Sequence, residues 1–195
     1  MPAHAERFIE KAHERGADAI ILDLEDSVPE ADKDRARDGL KDSVRRVGQA
    51  GAGVFVRVNS GERQRADADA ARAAGATVVL SKADLPALDR IGGPLLAVLE
   101  DPGAVLDARA FAKHSAVMGL CVGSEDVATA LGAEPTPEVL RMPKLLVHYA
   151  AKAEGKLSLG LLRSVADYKD LDVIAEAARE ARMHGFDGAT CALPS

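Results

Sequence analysis

The stretch that most constrains this chain is Ala19-Ile-Ile-Leu-Asp-Leu-Glu-Asp-Ser-Val-Pro29. It opens as an unbroken apolar run and then delivers Asp23, Glu25 and Asp26. Apolar residues without polar alternation suit a strand covered on both faces, as in a parallel sheet. Carboxylates at the end of such a strand need solvent, a cation or a charged partner. In α/β folds the carboxyl ends of parallel strands are where sites are assembled.

The same plan recurs along the chain. Strands are predicted over 19–24, 54–59, 77–81, within 94–100, and over 117–122, 157–162 and 188–193. Helices are predicted over 5–15, 29–47, 62–74, 84–90, 103–113 and 137–154, with a last one from Asp170 to Gly185. Three junctions share one form, a glycine stop and then a strand: Arg15-Gly-Ala-Asp-Ala19, Ala74-Gly-Ala-Thr-Val78 and His184-Gly-Phe-Asp-Gly188. Seven strands alternating with helices predict an α/β fold with a parallel sheet. A doubly wound sheet and a TIM-type (β/α)8 barrel share that rhythm. Polar tips after nearly every strand favour the barrel, whose loops ring one mouth, whereas an open sheet gathers its site at one switch point. With 195 residues the chain is expected to form a single domain over 1–195.

Composition narrows the function. The chain is 47% hydrophobic and 29% charged, as in soluble globular proteins. A net charge of -6 without a basic block argues against nucleic acid as a partner. No apolar run approaches a membrane span. Residues 1–18 read as an amphipathic helix, with Glu6, Arg7, Glu10 and Lys11 on its polar side, and not as a leader. Cys121 and Cys191 fall in predicted buried strands and read as small core residues, which suits a reducing cytoplasm. The histidines lack zinc-ligand spacing, and His148 reads as a surface or interface residue of a helix.

The strand tips carry the chemistry: Asp23, Glu25 and Asp26; Arg57 and Asn59; Ser81 and Lys82; Glu100 and Asp101; Ser124, Glu125 and Asp126. Carboxylates converging without histidine or thiolate suit a hard divalent cation, Mg²⁺, held by one or two acids with water and substrate oxygens. Arg57 could then grip a substrate carboxylate in a bidentate pair. Against this stands the plainer reading that tip charges are solvated or pair with one another. Lys82 reads as the partner of a neighbouring tip acid, and Asp167 and Tyr168 as solvated loop residues.

Leu22-Asp-Leu-Glu-Asp-Ser-Val28 with Lys33 and Arg37, Val56-Arg-Val-Asn59, Leu80-Ser-Lys82, Ala97-Val-Leu-Glu-Asp-Pro102, Gly123-Ser-Glu-Asp126 and Gly185-Phe-Asp-Gly188 follow one another in that order. In order and spacing they resemble the citrate lyase β-subunit-like family of HpcH/HpaI aldolases, which includes malyl-CoA lyases. The resemblance implies a (β/α)8 barrel that binds Mg²⁺ and makes or breaks C–C bonds between an acyl thioester and an oxo-acid. It implies Glu100 and Asp126 as metal ligands, Arg57 as the holder of the substrate carboxylate, and Glu25 and Asp26 beside metal-bound water. The backbone around Gly123 and Ser124 would lie near the substrate carboxylate. The thioester carrier would be CoA or an acyl-carrier protein, and a homo-oligomer is expected.

The chain also departs from the family pattern. It begins at Met1-Pro2-Ala3, near the turn that ends the family's first strand, so that strand is expected to be missing. Ser81 replaces a proline, Leu193 stands where a histidine is usual, and the C-terminal extension from which several relatives supply an aspartate to a neighbouring subunit is expected to be missing. Two rival readings follow: a catalytically incomplete, partner-dependent barrel subunit, and a thioester hydrolase on the same scaffold.

Overall fold

The computed structural model describes residues 1–164 and 170–191. The chain divides into two compact units, Met1–Ser81 and Lys82–Ser195. Each is a parallel α/β layer.

In the first unit, β1 (Ala19–Asp23), β2 (Gly53–Val58) and β3 (Thr77–Leu80) pair parallel in chain order. Residues 1–3 run alongside the end of β1: Pro2 bridges Asp23, and the Ala3 amide donates to the Asp23 carbonyl at 2.9 Å. The predicted N-terminal helix is two short pieces, α1 (Glu6–Ile9) and a 3-10 turn over Ala12–Arg15 that ends on left-handed Gly16. The predicted helix over 29–47 is also divided. A 3-10 turn, Glu30–Asp32, leads into α2 (Lys33–Asp38) and α3 (Leu40–Val47), which meet at Gly39. Glycine is a weak helix former, and its φ of -79° and ψ of -6° fit a turn as readily as a helix. α4 (Gln64–Ala73) lies on β2 and β3, and its Ala68 and Ala71 are fully buried. Leu22, Leu24, Val56, Val58, Val78 and Leu80 make the strand side of this core.

In the second unit, β4 (Leu95–Leu99), β5 (Val117–Val122) and β6 (Leu157–Ser158) again pair parallel in order. α5 (Leu85–Ile91) precedes β4; α6 (Pro102–Leu106) and α7 (Ala108–Lys113) follow it. The Gly123-Ser-Glu-Asp126 segment, read from sequence as a strand tip alone, opens a short helix, α8 (Ser124–Ala130). α9 (Pro137–Ala153) packs on β5, β6 and α7, and buries Leu140 and Val147 against a core that includes Phe111 and Leu120. α10 (Leu171–His184) closes the described chain over Leu161, with Ala177, Ala181 and Phe186.

Among the described residues there are six strands, not the seven predicted. Among the described residues of the predicted strand over 188–193, only Gly188 pairs, in a bridge to Leu159. Leu193, Asp167 and Tyr168 lie outside the described residues. β6 is two residues long because Gly160 turns the chain at a φ of 151°. Side chains hold it instead. The Ser158 amide donates to Asp187 Oδ2 at 2.8 Å, Ser158 Oγ lies 2.9 Å from His148 Nδ1, and the Asp187 amide donates to the Ser158 carbonyl. His148 is 5% exposed and stacks on Phe186 at 4.3 Å, so it is a core residue within this chain and not the surface or interface residue expected. Burial accordingly lowers its pKa. Cys121 is half-buried and Cys191 exposed, so the reading of both as core residues fails for Cys191. Among the described residues no helix is long and apolar enough to cross a membrane.

The start of α10 illustrates how local the helix signals are. Asp170 caps it, accepting from the amides of Asp172 and Val173 at 3.1 and 3.2 Å. Replacing Asp170 with alanine is expected to cost about 1 kcal/mol, read as a lower midpoint in urea unfolding with unchanged m-value.

Candidate active site

The first unit gathers Glu25, Asp26 and Arg57 around Asp23, a strand-tip acid to which the family resemblance gives no role. The β1–β2 register sets Asp23 opposite Arg57. Arg57 grips it with two donors along one edge of the guanidinium: Nε donates to Oδ1 at 2.7 Å and Nη2 to Oδ2 at 2.8 Å. Nη1 reaches Glu25 Oε2 at 3.2 Å and Asp26 Oδ2 at 3.3 Å. Asp23 also accepts the amides of Glu25 and Ser27 at 3.0 and 3.1 Å, together with the Ser27 hydroxyl.

Asp23 and Glu25 are buried; the Asp26 side chain is 63% exposed. Burial pushes the Asp23 carboxyl up, but the Arg57 hydrogen bonds and charge, with the Ser27 hydroxyl and the Glu25 amide, outweigh it and hold the pKa at about 2. For Arg57, burial favours the neutral form, and the surrounding carboxylates reverse that and raise its pKa. Tip charges here pair with one another. Asp26 is the one exposed carboxylate of the set, and its contact with Arg57 is the longest.

A second layer fixes the same strand ends. Lys33 Nζ donates to the carbonyls of Leu24 and Glu25 at 3.1 and 2.9 Å, and also to Asn59 Oδ1. Asn59 in turn donates from its amide and its Nδ2 to buried Asp67 Oδ2 at 3.1 and 2.7 Å, and Arg37 reaches Asp67 Oδ1 at 3.4 Å. Lys33 and Arg37 thus act on the backbone that presents Glu25. Asp67 completes the network, and its place on a helix among alanines gave no sign of it.

The second unit holds Glu100, Gly123, Ser124 and Asp126. Glu100 follows β4 and is 8% exposed, a buried carboxylate. Its Oε2 accepts the Lys82 amide at 3.1 Å. The Gly123 amide donates to the Leu99 carbonyl at 3.0 Å, which sets the end of β5 against Glu100. Ser124 is the first residue of α8, and Asp126 lies exposed in its first turn. Glu125 accepts a hydrogen bond from Ser164 Oγ. Lys144 of α9 was not foreseen: it is 4% exposed, and burial lowers its pKa to about 8 despite the opposing influence of Cys121 and Glu125.

The acids of this unit offer only hard oxygen donors, which fits Mg²⁺. No group of three or more His, Cys, Asp or Glu side chains among the described residues forms a ready-made metal cage.

Comparison with known proteins places this geometry in context. The family model described as HpcH/HpaI aldolase/citrate lyase matches residues 1–88. A (3S)-malyl-CoA thioesterase of Cereibacter sphaeroides is 34% identical over 207 residues, covering 100% of this chain and 72% of the relative. The citrate lyase beta subunit of Mycobacterium tuberculosis, solved with oxaloacetate and magnesium, superposes with a TM-score of 0.84 at 30% identity, covering 100% of this chain and 89% of that one. The CitE protein of the same organism, in complex with magnesium, acetoacetate and coenzyme A, gives a TM-score of 0.82 at 30% identity over 100% of this chain and 74% of its own.

Proposed function

Because the chain belongs to the HpcH/HpaI aldolase/citrate lyase family, we propose that it is a magnesium-dependent carbon–carbon lyase acting on a hydroxyacyl thioester or related acid. Its products would be an oxo-acid and an acyl thioester. What supports this reading is the presence of acids just after consecutive strands, Glu100 and Asp126, together with the likeness of the whole chain to a citrate lyase beta subunit solved with oxaloacetate and magnesium.

In this proposal the fold is of the (β/α)8 barrel type, with residues 1–195 as a single domain. Glu100 and Asp126 hold the Mg²⁺. The ion supplies Lewis acidity to the oxygen of the oxo-acid portion. Arg57 orients the substrate carboxylate, which displaces exposed Asp26 from its 3.3 Å contact while Asp23 keeps the guanidinium in place. Glu25 and Asp26 hold water at the site, and the backbone at Gly123 and Ser124 lies beside the substrate carboxylate. Cleavage breaks the bond between the hydroxyl-bearing carbon and its neighbour. The hydroxyl gives up its proton as the carbonyl forms, and the carbon left on the thioester takes up a proton.

A second reading has specific support. The relative at 34% identity is named a thioesterase. The same residues would then orient a hydroxyacyl thioester for attack by water, which releases free hydroxy-acid and thiol. Product analysis separates the two. The purified chain is incubated with Mg²⁺ and malyl-CoA as the probe thioester. Oxo-acid together with acyl thioester supports the lyase; free malate with CoA and no oxo-acid supports the hydrolase. Calorimetric titration with Mg²⁺, with and without oxaloacetate, checks the shared premise. The metal is expected to bind and the oxo-acid to tighten it; absence of Mg²⁺ binding would count against both.

A further inference from the structure

The second unit contains a seat for Glu100 built from Lys82 and Gly123. Lys82 is the only non-glycine residue with positive φ among the described residues, at 45°. A side chain in that region is strained, and such strain persists where surrounding contacts demand it. Here the turned backbone directs the Lys82 amide at Glu100 Oε2, at 3.1 Å. A second wall is Gly123. A Cβ there would stand 2.5 Å from Glu100 Cγ, 3.3 Å from its Cδ and 3.4 Å from Oε1.

Nothing in the backbone of Gly123 requires glycine, since its φ of -76° and ψ of 100° suit any residue. Its amide is committed to the Leu99 carbonyl. What glycine supplies at this position is space for the stem of Glu100, and that stem is the near part of the side chain, which cannot move aside without moving the carboxylate.

We propose that Lys82 and Gly123 are positioning residues that fix the Glu100 carboxylate, Lys82 through its left-handed backbone amide and Gly123 through its missing side chain. In its bearing on metal binding the inference rests on the function proposed above, whereas the contact itself does not. A carboxylate held on one oxygen by an amide and against one wall by bare backbone is pre-organised as a ligand, which raises affinity by removing the cost of ordering it.

The experiment has two arms. The first is a double-mutant cycle on the whole chain, read by thermal unfolding without metal: wild type, Gly123→Ala, Glu100→Ala and Gly123→Ala/Glu100→Ala. Gly123→Ala is expected to lower Tm in the wild-type background and to have little effect once Glu100 is alanine, because the atoms it strikes are gone. Equal losses in both backgrounds would overturn the seat. The cycle stays readable if Gly123→Ala alone fails to fold, since recovery of folding in the double variant is the same result in stronger form.

The second arm measures Mg²⁺ affinity by calorimetry for wild type, Gly123→Ala, Lys82→Gly and Lys82→Val. Gly123→Ala is expected to weaken binding roughly 10- to 100-fold, the range seen when groups that orient a ligand are lost. Lys82→Gly, which keeps the amide and tolerates positive φ, is expected to retain affinity, whereas Lys82→Val, β-branched and ill-suited to that conformation, is expected to lose it. A matching loss in Lys82→Gly would assign the effect to the lysine side chain and overturn the backbone role. If the wild type binds no Mg²⁺ while the cycle shows coupling, the seat stands and the metal-dependent function fails.

Discussion

Replacing Arg57 with alanine is expected to destabilise the folded chain by about 3–5 kcal/mol, the cost of leaving buried carboxylates without their cation. The geometry explains the size. Asp23 is 5% exposed and makes a two-pronged pair with Arg57, and Glu25, equally buried, shares the same guanidinium. Removing the cation strands two carboxylates in a place water reaches poorly.

The pH dependence has a definite sign. The folded pKa of Asp23, about 2, lies below the ordinary 3.8, so the unfolded chain binds the proton more readily. The stabilisation is therefore fully present above about pH 4 and is lost as pH falls toward 2; at about 1.4 kcal/mol per pKa unit it amounts to roughly 2–3 kcal/mol. Urea midpoints of wild type and Arg57→Ala, measured at neutral pH and at about pH 3, are expected to converge on acidification. A gap that stays constant across that range would show that Arg57 stabilises the chain by packing and not through Asp23. The same result bears on function: a loss of substrate binding in Arg57→Ala is informative only once the variant is shown to be folded under the assay conditions.

Exchanging Glu100 for glutamine is expected to weaken Mg²⁺ binding by roughly 100-fold or more, since it removes one of the two charged oxygen ligands proposed for a hard cation. Glutamine keeps the volume of the side chain and can still accept the Lys82 amide, so the thermal midpoint without metal is expected to change little. Calorimetry with Mg²⁺ on both proteins, next to their melting curves, separates lost ligation from lost folding. Unchanged affinity in a folded Glu100→Gln protein would remove Glu100 from the proposed metal site and with it the basis for a metal-dependent lyase.

Much of the fold could be read in advance because the signals were local. Apolar runs bounded by glycine marked β1 to β5 to within a residue or two, and Asp84, Asp101, Thr136 and Asp170 cap helices near where the pattern put their starts. The misreadings have physical causes. Gly39 breaks a helix whose polar and apolar residues continue in phase across it, and periodicity does not register a single weak residue. Leu157, Leu159, Leu161 and Leu162 look like a strand, but Gly160 turns the backbone after Ser158.

His148 reads from the sequence as a surface or interface residue because its partners, Ser158 and Phe186, lie 10 and 38 residues further along the chain. The charged tips were visible; which charges pair was not. That depended on register, which sets Asp23 rather than Glu25 directly across from Arg57. The role of Gly123 was likewise hidden, because the need for empty space there comes from Glu100, a residue on another strand's end.

The order of the strands bears on how the chain is made as well as on what it holds. Within each unit every strand pairs with the next one in sequence: Ala19 faces Gly53, Phe55 faces Thr77, Leu95 faces Val117 and Gly119 faces Leu157. The residues to be brought together are 34, 22, 22 and 38 positions apart. Closing the longest of these loops costs only about 0.5 kcal/mol more than closing the shortest. None of these four ladders has to wait for a distant partner, which is the usual source of slow folding in parallel sheets. As the chain leaves the ribosome, the β1–β2–β3 ladder has all its hydrogen-bonding residues in hand by Ser81, before any residue of the second unit has been synthesised.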